Sequence, residues 1–388
     1  MRCNNIMSTY LLSLKNEIYI DDIAFIQTGL SKIIDYNVIR PQHTHHHIKN
    51  HPKAFRFLLI FLSSSWILWN SIIQTILLLK HLSNAALVKR KIISSEAIIL
   101  VATHRLPDQL KKVMDTVPSQ ALMIGKGTSS TINCASANLI DVVNIKDIFN
   151  AYYYSLLAPI NLRKYIRGNY IIQTYSSFEW FLTNFFLTRQ KGIKEIWFAN
   201  HFDRWAILFD NLKIERKIIV QHGIESGKLI PPVMLKSITK AYLIKADQKP
   251  FFVGKIIEND FEFEELKSEI KLTKIFCQDK LRVLIVGNVS IHSVEEKFLI
   301  QHLSSLNIHF CLKPHPVLSQ NFYTELKQET DFLLIADKNT FPEVDVVISY
   351  ESTLGLEYEL EGVKVLYYAD NTVDEIIQYL KSSIKEQY

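Results

Sequence analysis

Cysteine is scarce in this chain. Its 388 residues include four cysteines, which lie far apart and show no metal-ligand spacing: Cys3, Cys134, Cys277 and Cys311. The last two lie in apolar runs, where a buried thiol is favoured over a disulfide bridge. The first residues also lack the basic region, long apolar core and small-residue cleavage site of a secretory signal. These absences predict a reducing, cytoplasmic environment.

Neither sign of charge is in large excess. The 44 Lys and Arg residues exceed the 39 Asp and Glu residues by five, and the isoelectric point is near 8.7. This small surplus mildly favours anionic partners such as phosphates or acidic lipids. A composition of 48% hydrophobic and 21% charged residues argues against disorder and favours two globular domains with substantial cores.

Residues 57–79 carry no charge over 23 positions, which is the length that a membrane span requires. On a helical wheel, however, the polar and apolar side chains separate onto two arcs. The polar arc holds mostly Ser63, Ser64, Asn70, Ser71, Gln74 and Thr75, and the apolar arc holds Leu58, Leu62, Trp66, Trp69, Ile72, Ile73 and Ile76. Three interpretations stay open: a helix packed within the protein, a helix at the membrane interface, and a span. The flanking basic residues that would suit acidic headgroups are Lys53, Arg56, Lys80, Lys89, Arg90 and Lys91.

A histidine-rich segment, QHTHHHIKNHPK, precedes this stretch. It contains His43, His45, His46, His47 and His51. Such a cluster can bind a metal, but neighbouring histidines in a polar loop have no fixed geometry, and no carboxylate or cysteine nearby completes a site. We therefore expect a solvated loop.

From residue 96 onward, short apolar runs alternate with segments of helical length, and several of the runs end in polar residues. This pattern predicts parallel sheets covered by helices on both faces. We expect an N-terminal extension over residues 1–95, a Rossmann-like domain over 96–245, a crossover over 246–280 and a doubly wound domain over 281–388. The acidic run ENDFEFEELKSE in the crossover is interpreted as a solvated face.

The apolar run HFCL in the second domain stops at Lys313-Pro314-His315-Pro316. Ligands of open parallel sheets bind beyond the carboxyl ends of the strands, so this run places a lysine and a histidine where a ligand would bind. The prolines restrict the backbone around His315. The two side chains could donate to an anionic group, and a protonated histidine could stabilise a departing phosphate.

A second polar cluster follows the strand VDVVISY, where a new helix begins. Ser352 and Thr353 are favoured N-cap residues, and the unpaired amides of a helix start form a phosphate site. Glu357 follows one turn later, where it could reach ribose hydroxyls. The alternative is a helix cap with its acidic partner and no ligand.

The first domain has two comparable strand ends. His222, between Gln221 and Gly223, is a plausible general base near neutral pH, with a buried structural histidine as the alternative. A polar turn after the strand KEIWFA contains Asn200, Asp203 and Arg204. We expect these three residues to contact an acceptor.

The segments IVQHGIESG, FCLKPHPV and DVVISYESTLGLEYELEGVKVLYY together resemble the His-Gly, basic-Pro-His-Pro and Ser/Thr signatures of bacterial envelope-polymer transferases of the GT-B fold. These include capsule and lipopolysaccharide glycosyltransferases, polysialyltransferases and CDP-glycerol glycerophosphotransferases. The resemblance extends over residues 195–370 and depends on the order and spacing of short motifs. It implies two Rossmann-like domains facing a cleft, with the acceptor in the first and the nucleotide-activated donor in the second.

The resemblance also implies roles for single residues. His222 matches the position that faces the acceptor, Lys313 and His315 match the donor-phosphate motif, Ser352 and Thr353 match phosphate-binding hydroxyls, and Glu357 matches the ribose-binding position. The implied enzyme needs no cofactor or metal. Its implied partners are a nucleotide-sugar donor and a glycan or lipid-linked glycan acceptor, with peripheral contact to an acidic membrane and no nucleic acid.

Two departures bear on specificity. The chain has no clear paired-acid-then-glycine motif of the polysialyltransferases, and Gln221 stands where glycerophosphotransferases commonly have a tryptophan-like residue. They favour a general surface-polysaccharide glycosyltransferase. A CDP-polyol phosphotransferase, a sugar-nucleotide epimerase and a non-catalytic assembly partner remain as alternatives. No convincing Asp-X-Asp motif ends an early strand, and Glu343-Val344-Asp345 precedes a strand and is interpreted as a turn.

Overall fold

The structure is a computed structural model of two compact units, Met1–Leu266 and Lys267–Tyr388. It describes residues 2–387 except 88–91, 103–105, 107–109, 111, 114–116, 125–133, 222, 224–228, 269, 278, 288–292, 315–319, 351 and 369. Each unit contains its own parallel sheet with helices. The predicted α/β class, with two Rossmann-like units and a helical N-terminal extension, is confirmed.

The first unit is built on a seven-stranded parallel sheet. Its strands are β1 Ala97–Val101, β2 Gln120–Met123, β3 Ala135–Asn138, β4 Glu195–Phe198, β5 Arg216–Val220, β6 Lys240–Leu243 and β7 Glu262–Glu265. They lie in the order β3-β2-β1-β4-β5-β6-β7. Strand order reverses at β1, where Ile98 is aligned with Gln120 of β2 and Ile196 of β4. Ligands of such sheets bind beyond the carboxyl ends of the strands at this reversal.

The described part of the first unit also contains nine helices. They are α1 Arg2–Gln27, α2 Pro41–Asn50, α3 Pro52–Ser64, α4 Trp66–Leu87, α5 Leu139–Val142, α6 Ile145–Leu162, α7 Ser177–Arg189, α8 Arg204–Asp210 and α9 Lys249–Phe252, with 3-10 turns at Leu30–Lys32, Gly168–Ser176 and Ala246–Gln248. The long α1 packs along α8, and Asn16 of α1 donates to the carbonyls of Phe202 (2.8 Å) and Val233 (2.9 Å). The N-terminal extension is therefore part of the first unit.

The segment predicted as a crossover, residues 246–280, is divided between the units. Helix α9 and strand β7 belong to the first unit, which ends at Leu266. Within the acidic run, β7 pairs with β6, aligning Glu262 with Lys240. The prediction of a solvated face overlooked this strand because EFEE lacks an apolar run. Its exposed carboxylates lie at a sheet edge, where charge opposes pairing with another chain.

The histidine-rich segment is helix α2, so the predicted loop is wrong. Pro41 stands at the start of the helix, where a residue without an N–H is tolerated, and Ile48 is buried. His43, His46 and His47 are exposed. Among the described residues, no group of three or more His, Cys, Asp or Glu side chains is placed to hold a metal ion.

The uncharged stretch forms two helices rather than one. Helices α3 and α4 meet at Ser65 with a bend of 75°. No single helix in the described ranges is long and apolar enough to cross a membrane, whereas this bent pair passes by length and composition. On α4 the two arcs of the helical wheel separate for most residues, because Asn70 and Gln74 are buried while Ile72 and Ile76 are exposed. Trp66, predicted on the apolar arc, is instead buried.

The second unit repeats the architecture on a smaller scale. Its strands are β8 Leu272–Thr273, β9 Arg282–Val286, β10 His309–Lys313, β11 Leu333–Leu334, β12 Phe341–Pro342, β13 Val346–Ser349 and β14 Lys364–Tyr367, and its helices are α10 Ser293–Leu303, α11 Gln320–Glu329, α12 Thr353–Leu360 and α13 Val373–Gln387. Five strands form a parallel sheet in the order β11-β10-β9-β13-β14, and β8 pairs with β12. Strand order reverses at β9, which lies between β10 and β13.

Candidate functional site

The carboxyl ends of the central strands of the second unit are level with one another. Val286, which ends β9, is aligned with Lys313 of β10 on one side and with Ser349 of β13 on the other. Adjacent strands lie about 4.8 Å apart, so the Cα atoms of Lys313 and Ser349 are about 10 Å apart across Val286. The tertiary structure thus brings two separate sequence motifs to the reversal point of the sheet, where α/β proteins bind ligands.

Ser352 begins helix α12 immediately after β13. Its Oγ accepts from the Leu354 amide at 3.3 Å, and its own amide donates to Ser349 Oγ at 3.1 Å. Thr353 is the first residue of the helix, Glu357 lies one turn later, and both are partly exposed. The cap explains why the helix starts here. Donor contact by Ser352, Thr353 and Glu357 stays a prediction.

Gly355 lets α12 approach the sheet closely. A Cβ atom at this position would lie 3.1 Å from both Cβ and Oγ of Ser349 and 3.3 Å from Cε1 of Tyr367. Such distances are tighter than ordinary van der Waals contacts, and both neighbours are aligned strand residues of the sheet. The glycine therefore fixes how closely the start of the helix lies to the strand ends.

Replacing Gly355 with Val is expected to push α12 away from the sheet. Overpacking of this kind costs about 1–3 kcal/mol, so calorimetry should show a less stable second unit. The same substitution at Gly192, where an added Cβ meets nothing within 4 Å, serves as the control and should change stability by less than about 0.5 kcal/mol. Equal stability of Gly355→Val and the wild type would contradict the packing argument.

Lys313 is half-buried at the end of β10 and is held by a neighbouring loop. Its Nζ donates to the carbonyls of Asp337 (2.7 Å) and Thr340 (2.8 Å) and lies 4.8 Å from the centroid of the Phe341 ring. Burial lowers the pKa of this ammonium group, against the opposing charge of Asp337. An ammonium group can donate three hydrogen bonds, so the two carbonyl contacts do not exhaust its donors. The predicted catalytic His315 lies outside the described residues.

Gln221 organises the corresponding strand end of the first unit. The side chain is fully buried, and its Nε2 donates to the Gly223 carbonyl (2.8 Å) and to Oε1 of Gln248 (3.0 Å). Its Oε1 accepts from the Ile244 amide at 2.8 Å. Gln221 therefore ties the end of β5 to the end of β6. The predicted base, His222, lies outside the described residues, but the residue before it is firmly held.

The sequence carried a signal for this role of Gln221 that the motif comparison missed. A polar side chain directly after four buried strand residues requires internal hydrogen-bond partners, because an unpaired buried amide is costly. In the motif pattern, Gln221 is only a departure from the residue common in glycerophosphotransferases.

Asn200, Asp203 and Arg204 follow β4, and their contacts are internal. Oδ1 of Asp203 accepts from the amides of Trp205 (2.9 Å) and Ala206 (3.0 Å) and so caps α8, while Asn200 donates to Oδ2 of Asp203 at 2.6 Å. Only 2% of Asn200 and 3% of Arg204 are exposed. These contacts are structural, and acceptor binding by the three residues stays a prediction.

Arg204 forms an ion pair with Glu17 of α1. Its Nη2 donates to Oε2 of Glu17 at 3.0 Å, and its backbone amide donates to Oε1 at 3.1 Å. Burial would raise the pKa of Glu17, but the charge and hydrogen bonds of Arg204 outweigh burial and lower it. Burial first, and then the charge of Glu17, raises the pKa of Asp203 to about 6. Glu17 therefore attracts Arg204 and repels Asp203 in the loop after β4.

Glu343 and Asp345 lie at the opposite, amino-terminal end of the second sheet. Arg282 Nη2 donates to Asp345 at 2.6 Å, and Nη1 lies 3.2 Å from Oε1 of Glu343. Arg282, the first residue of β9, thus holds both carboxylates just before β13 begins. This placement agrees with their interpretation as a turn that precedes a strand.

Comparisons with known proteins give weak likenesses. No family model matches the chain, and no curated protein matches it. Among solved structures, MurG of Acinetobacter baumannii is 11% identical, with coverage of 76% of this chain and 92% of that one and a TM-score of 0.36. A glycosyltransferase from Rickettsia africae is 10% identical, covering 76% and 89%, with a TM-score of 0.43. A UDP-GlcNAc 2-epimerase from Neisseria meningitidis bound to UDP-GlcNAc is 11% identical, covering 74% and 91%, with a TM-score of 0.40. Likenesses this low assign neither a family nor an activity.

Proposed function

We propose that this chain is a GT-B glycosyltransferase that moves a sugar from a nucleotide-activated donor to a glycan acceptor in bacterial surface polysaccharide synthesis. The observation that carries the proposal is the alignment of Lys313, Val286 and Ser349 at the reversal point of the second sheet, with α12 starting at Ser352. This point is where doubly wound sheets bind nucleotides. Because a fold does not fix a function, the motif order of the sequence supplies the rest of the argument.

The donor would bind in the second unit. The positive end of the α12 dipole and the ammonium group of Lys313 would attract a diphosphate, and Glu357 is one helical turn from that end. His315 would donate to the leaving phosphate. The bond between the anomeric carbon and the phosphate oxygen breaks, and the nucleotide leaves with the electron pair.

The acceptor would bind in the first unit, beyond β5. His222 would remove the proton from the acceptor hydroxyl as its oxygen bonds to the anomeric carbon. The neighbouring Gln221 is held at the end of β5 by hydrogen bonds to Gly223 and Ile244, which supports a site at this strand end. We place the reaction in the cytoplasm, at the inner face of the plasma membrane, without a metal ion.

A thermal-shift screen of nucleotide sugars, CDP-polyols and CMP-sialic acid would test donor binding. The products formed from the nucleotide donor that binds are then analysed with and without glycan acceptors, which distinguishes a transferase from an epimerase. A transferase consumes the donor far faster when the acceptor is present. Conversion of the donor sugar without an acceptor would identify an epimerase instead, and the absence of any nucleotide binding would contradict the proposed enzyme.

His315→Ala is expected to lower turnover by roughly 10²-fold or more, because the variant loses a donor to the developing phosphate charge. His302→Ala is the matched control, since His302 is a histidine of the same unit on the surface of α10. Steady-state kinetics of both variants, after calorimetry has verified folding, make the measurement. Unchanged turnover in folded His315→Ala would exclude the proposed role.

A further inference from the structure

The polar side of helix α4 faces the interior of the first unit. Asn70 and Gln74 are both fully buried. Nδ2 of Asn70 donates to the Ser155 carbonyl at 3.0 Å, and Nε2 of Gln74 donates to the Tyr175 carbonyl at 3.1 Å. One turn earlier, Trp66 Nε1 donates to Thr174 Oγ1 at 2.7 Å. These hydrogen bonds fix which side of the helix meets the protein.

The apolar side of the same helix faces outward, which inverts the usual arrangement of a surface helix. Leu68, Ile72, Ile76 and Leu79 follow one another at intervals of three or four residues and form one stripe, with 62% of Leu68 and 60% of Ile76 exposed. Helix α3 continues the apolar surface with Phe57 and Phe61. Ten of the 23 exposed large apolar side chains in the described part of the chain lie between residues 57 and 79. Apolar surface is therefore concentrated on this helix pair, and such concentration marks an interaction site.

Basic residues dominate the charge around this surface. The sequence contains no Asp or Glu from residue 36 to residue 95, whereas it contains eight Lys and Arg there. Lys53 and Arg56 lie in the first turns of α3, Lys80 lies near the end of α4, and all three are exposed. Arg56 also pairs with the exposed Asp35 at 3.4 Å, a surface contact that contributes little. An apolar surface with basic ends is complementary to a bilayer with anionic headgroups.

Three hydroxyl groups of the helix pair donate to carbonyls of the pair itself. Oγ of Ser71 donates to the Ile67 carbonyl and Oγ1 of Thr75 to the Ser71 carbonyl, each at 2.8 Å, and Oγ of Ser65 donates to the Phe61 carbonyl at 2.6 Å. A protein interface commonly contains about ten direct hydrogen bonds, and these groups already donate internally. In hydrocarbon, by contrast, internal satisfaction is what polar groups require.

We propose that α3 and α4 form a docking surface that inserts into the interfacial region of an anionic membrane, between headgroups and acyl chains, without crossing it. The outward stripe of α4 (Leu68, Ile72, Ile76 and Leu79) enters the acyl boundary, and Lys53, Arg56 and Lys80 contact headgroups. The 75° bend and the hydrogen bonds of Asn70 and Gln74 hold the pair against the first unit, so it lies along the membrane. This inference is independent of the proposed enzymatic activity.

Liposome flotation of the full chain tests the proposal. The vesicles contain 30% phosphatidylglycerol in phosphatidylcholine, or phosphatidylcholine alone. We expect binding to the anionic vesicles that high salt weakens, since screening reduces the headgroup attraction. A triple variant of α4 should bind the vesicles about 10-fold or more weakly, because three inserted apolar side chains are lost. Its substitutions are Leu68→Gln, Ile72→Gln and Ile76→Gln. Glutamine is a good helix former, so thermal unfolding should be unchanged.

The matched control carries the same substitution at three exposed apolar residues elsewhere. The control variant loses the same number of apolar side chains from positions outside the helix pair, by Ile230→Gln, Phe263→Gln and Phe298→Gln combined. This variant should bind the vesicles as the wild type does. Equal losses in both triple variants would mean that binding is nonspecific and would overturn the proposal.

Trp69 provides a direct depth measurement because it lies on α4 and is 38% exposed. Brominated lipids should quench its fluorescence in vesicle-bound protein, and Trp69→Phe should remove most of that quenching. Absence of vesicle binding by the wild type would overturn the proposal. Protein that resists alkaline extraction and is released only by detergent would also overturn it, because this behaviour indicates a membrane span. A dimer that does not bind vesicles, and that the α4 triple substitution dissociates, would likewise contradict the proposal and indicate a second copy of the chain as the occupant.

Discussion

Replacing Glu17 with Gln is expected to lower the free energy of unfolding of the first unit by about 3–5 kcal/mol, the usual cost of removing one partner of a buried ion pair. Only 4% of the Arg204 side chain and 17% of the Glu17 side chain are exposed, so water cannot replace the lost carboxylate. The variant leaves the guanidinium buried and uncompensated. Relief of the repulsion on Asp203 offsets part of this cost, because the charge of Glu17 helps to raise the pKa of Asp203.

Urea denaturation followed by tryptophan fluorescence gives the measurement, since all five tryptophans lie in the first unit. The lowered pKa of Glu17 fixes the sign of the pH dependence. Its stabilisation is complete above the ordinary glutamate pKa of 4.5 and is lost as pH falls through the lower folded-state value. The difference between wild type and Glu17→Gln should therefore grow modestly from pH 7 to pH 5, because protonation of Asp203 removes its repulsion by Glu17 in the wild type, and then shrink below about pH 4.5.

An exposed ion pair provides the control for this experiment. Asp35 and Arg56 lie 3.4 Å apart with side chains 78% and 53% exposed, so Asp35→Asn should cost less than about 1 kcal/mol. If Glu17→Gln costs no more than Asp35→Asn, the ion pair does not stabilise the loop that follows β4.

His222→Ala is expected to lower sugar transfer by about 10²- to 10⁴-fold while nucleotide-donor affinity stays nearly unchanged. The reason is that the donor and the acceptor base are proposed to lie in different units. The predicted donor contacts, Lys313 and Ser352 among them, belong to the second unit, whereas His222 follows Gln221 in the sequence of the first. Loss of a histidine base should also remove the acidic limb of the pH-rate profile, because a histidine must lose its proton before it can act as a base.

Donor titration and single-turnover transfer on the same preparation separate these effects. His47→Ala serves as the control, because His47 is an exposed histidine of the same unit on α2. It should retain both donor affinity and transfer. If donor affinity collapses together with transfer in His222→Ala, His222 belongs to the donor site, and the assignment of an acceptor base to the first unit is wrong.

Much of the fold could be predicted from local pattern. Buried apolar runs such as Ala97–Val101 and Arg282–Val286 are strands in the structure, since several consecutive apolar residues followed by a polar turn suit a sheet covered on both faces. The positions of Lys313 and Ser352 at strand ends followed from the same logic. The edge strand Glu262–Glu265 was not predicted, because its charged side chains lack the apolar pattern of a strand although its backbone pairs with β6.

The sequence by itself determined the class of the two units, the strand ends that carry Gln221, Lys313 and Ser352, and the separation of α4 into a polar and an apolar side. Only the tertiary structure decided what those sides meet. Periodicity indicates which side chains share a face, but the residues that pack against that face are distant in the sequence. Asn70 bonds to Ser155, and Arg204 pairs with Glu17, which is 187 positions earlier in the chain. A buried hydrogen bond or ion pair between such distant residues leaves no local pattern, because its energy depends on burial that arises only when the chain has folded.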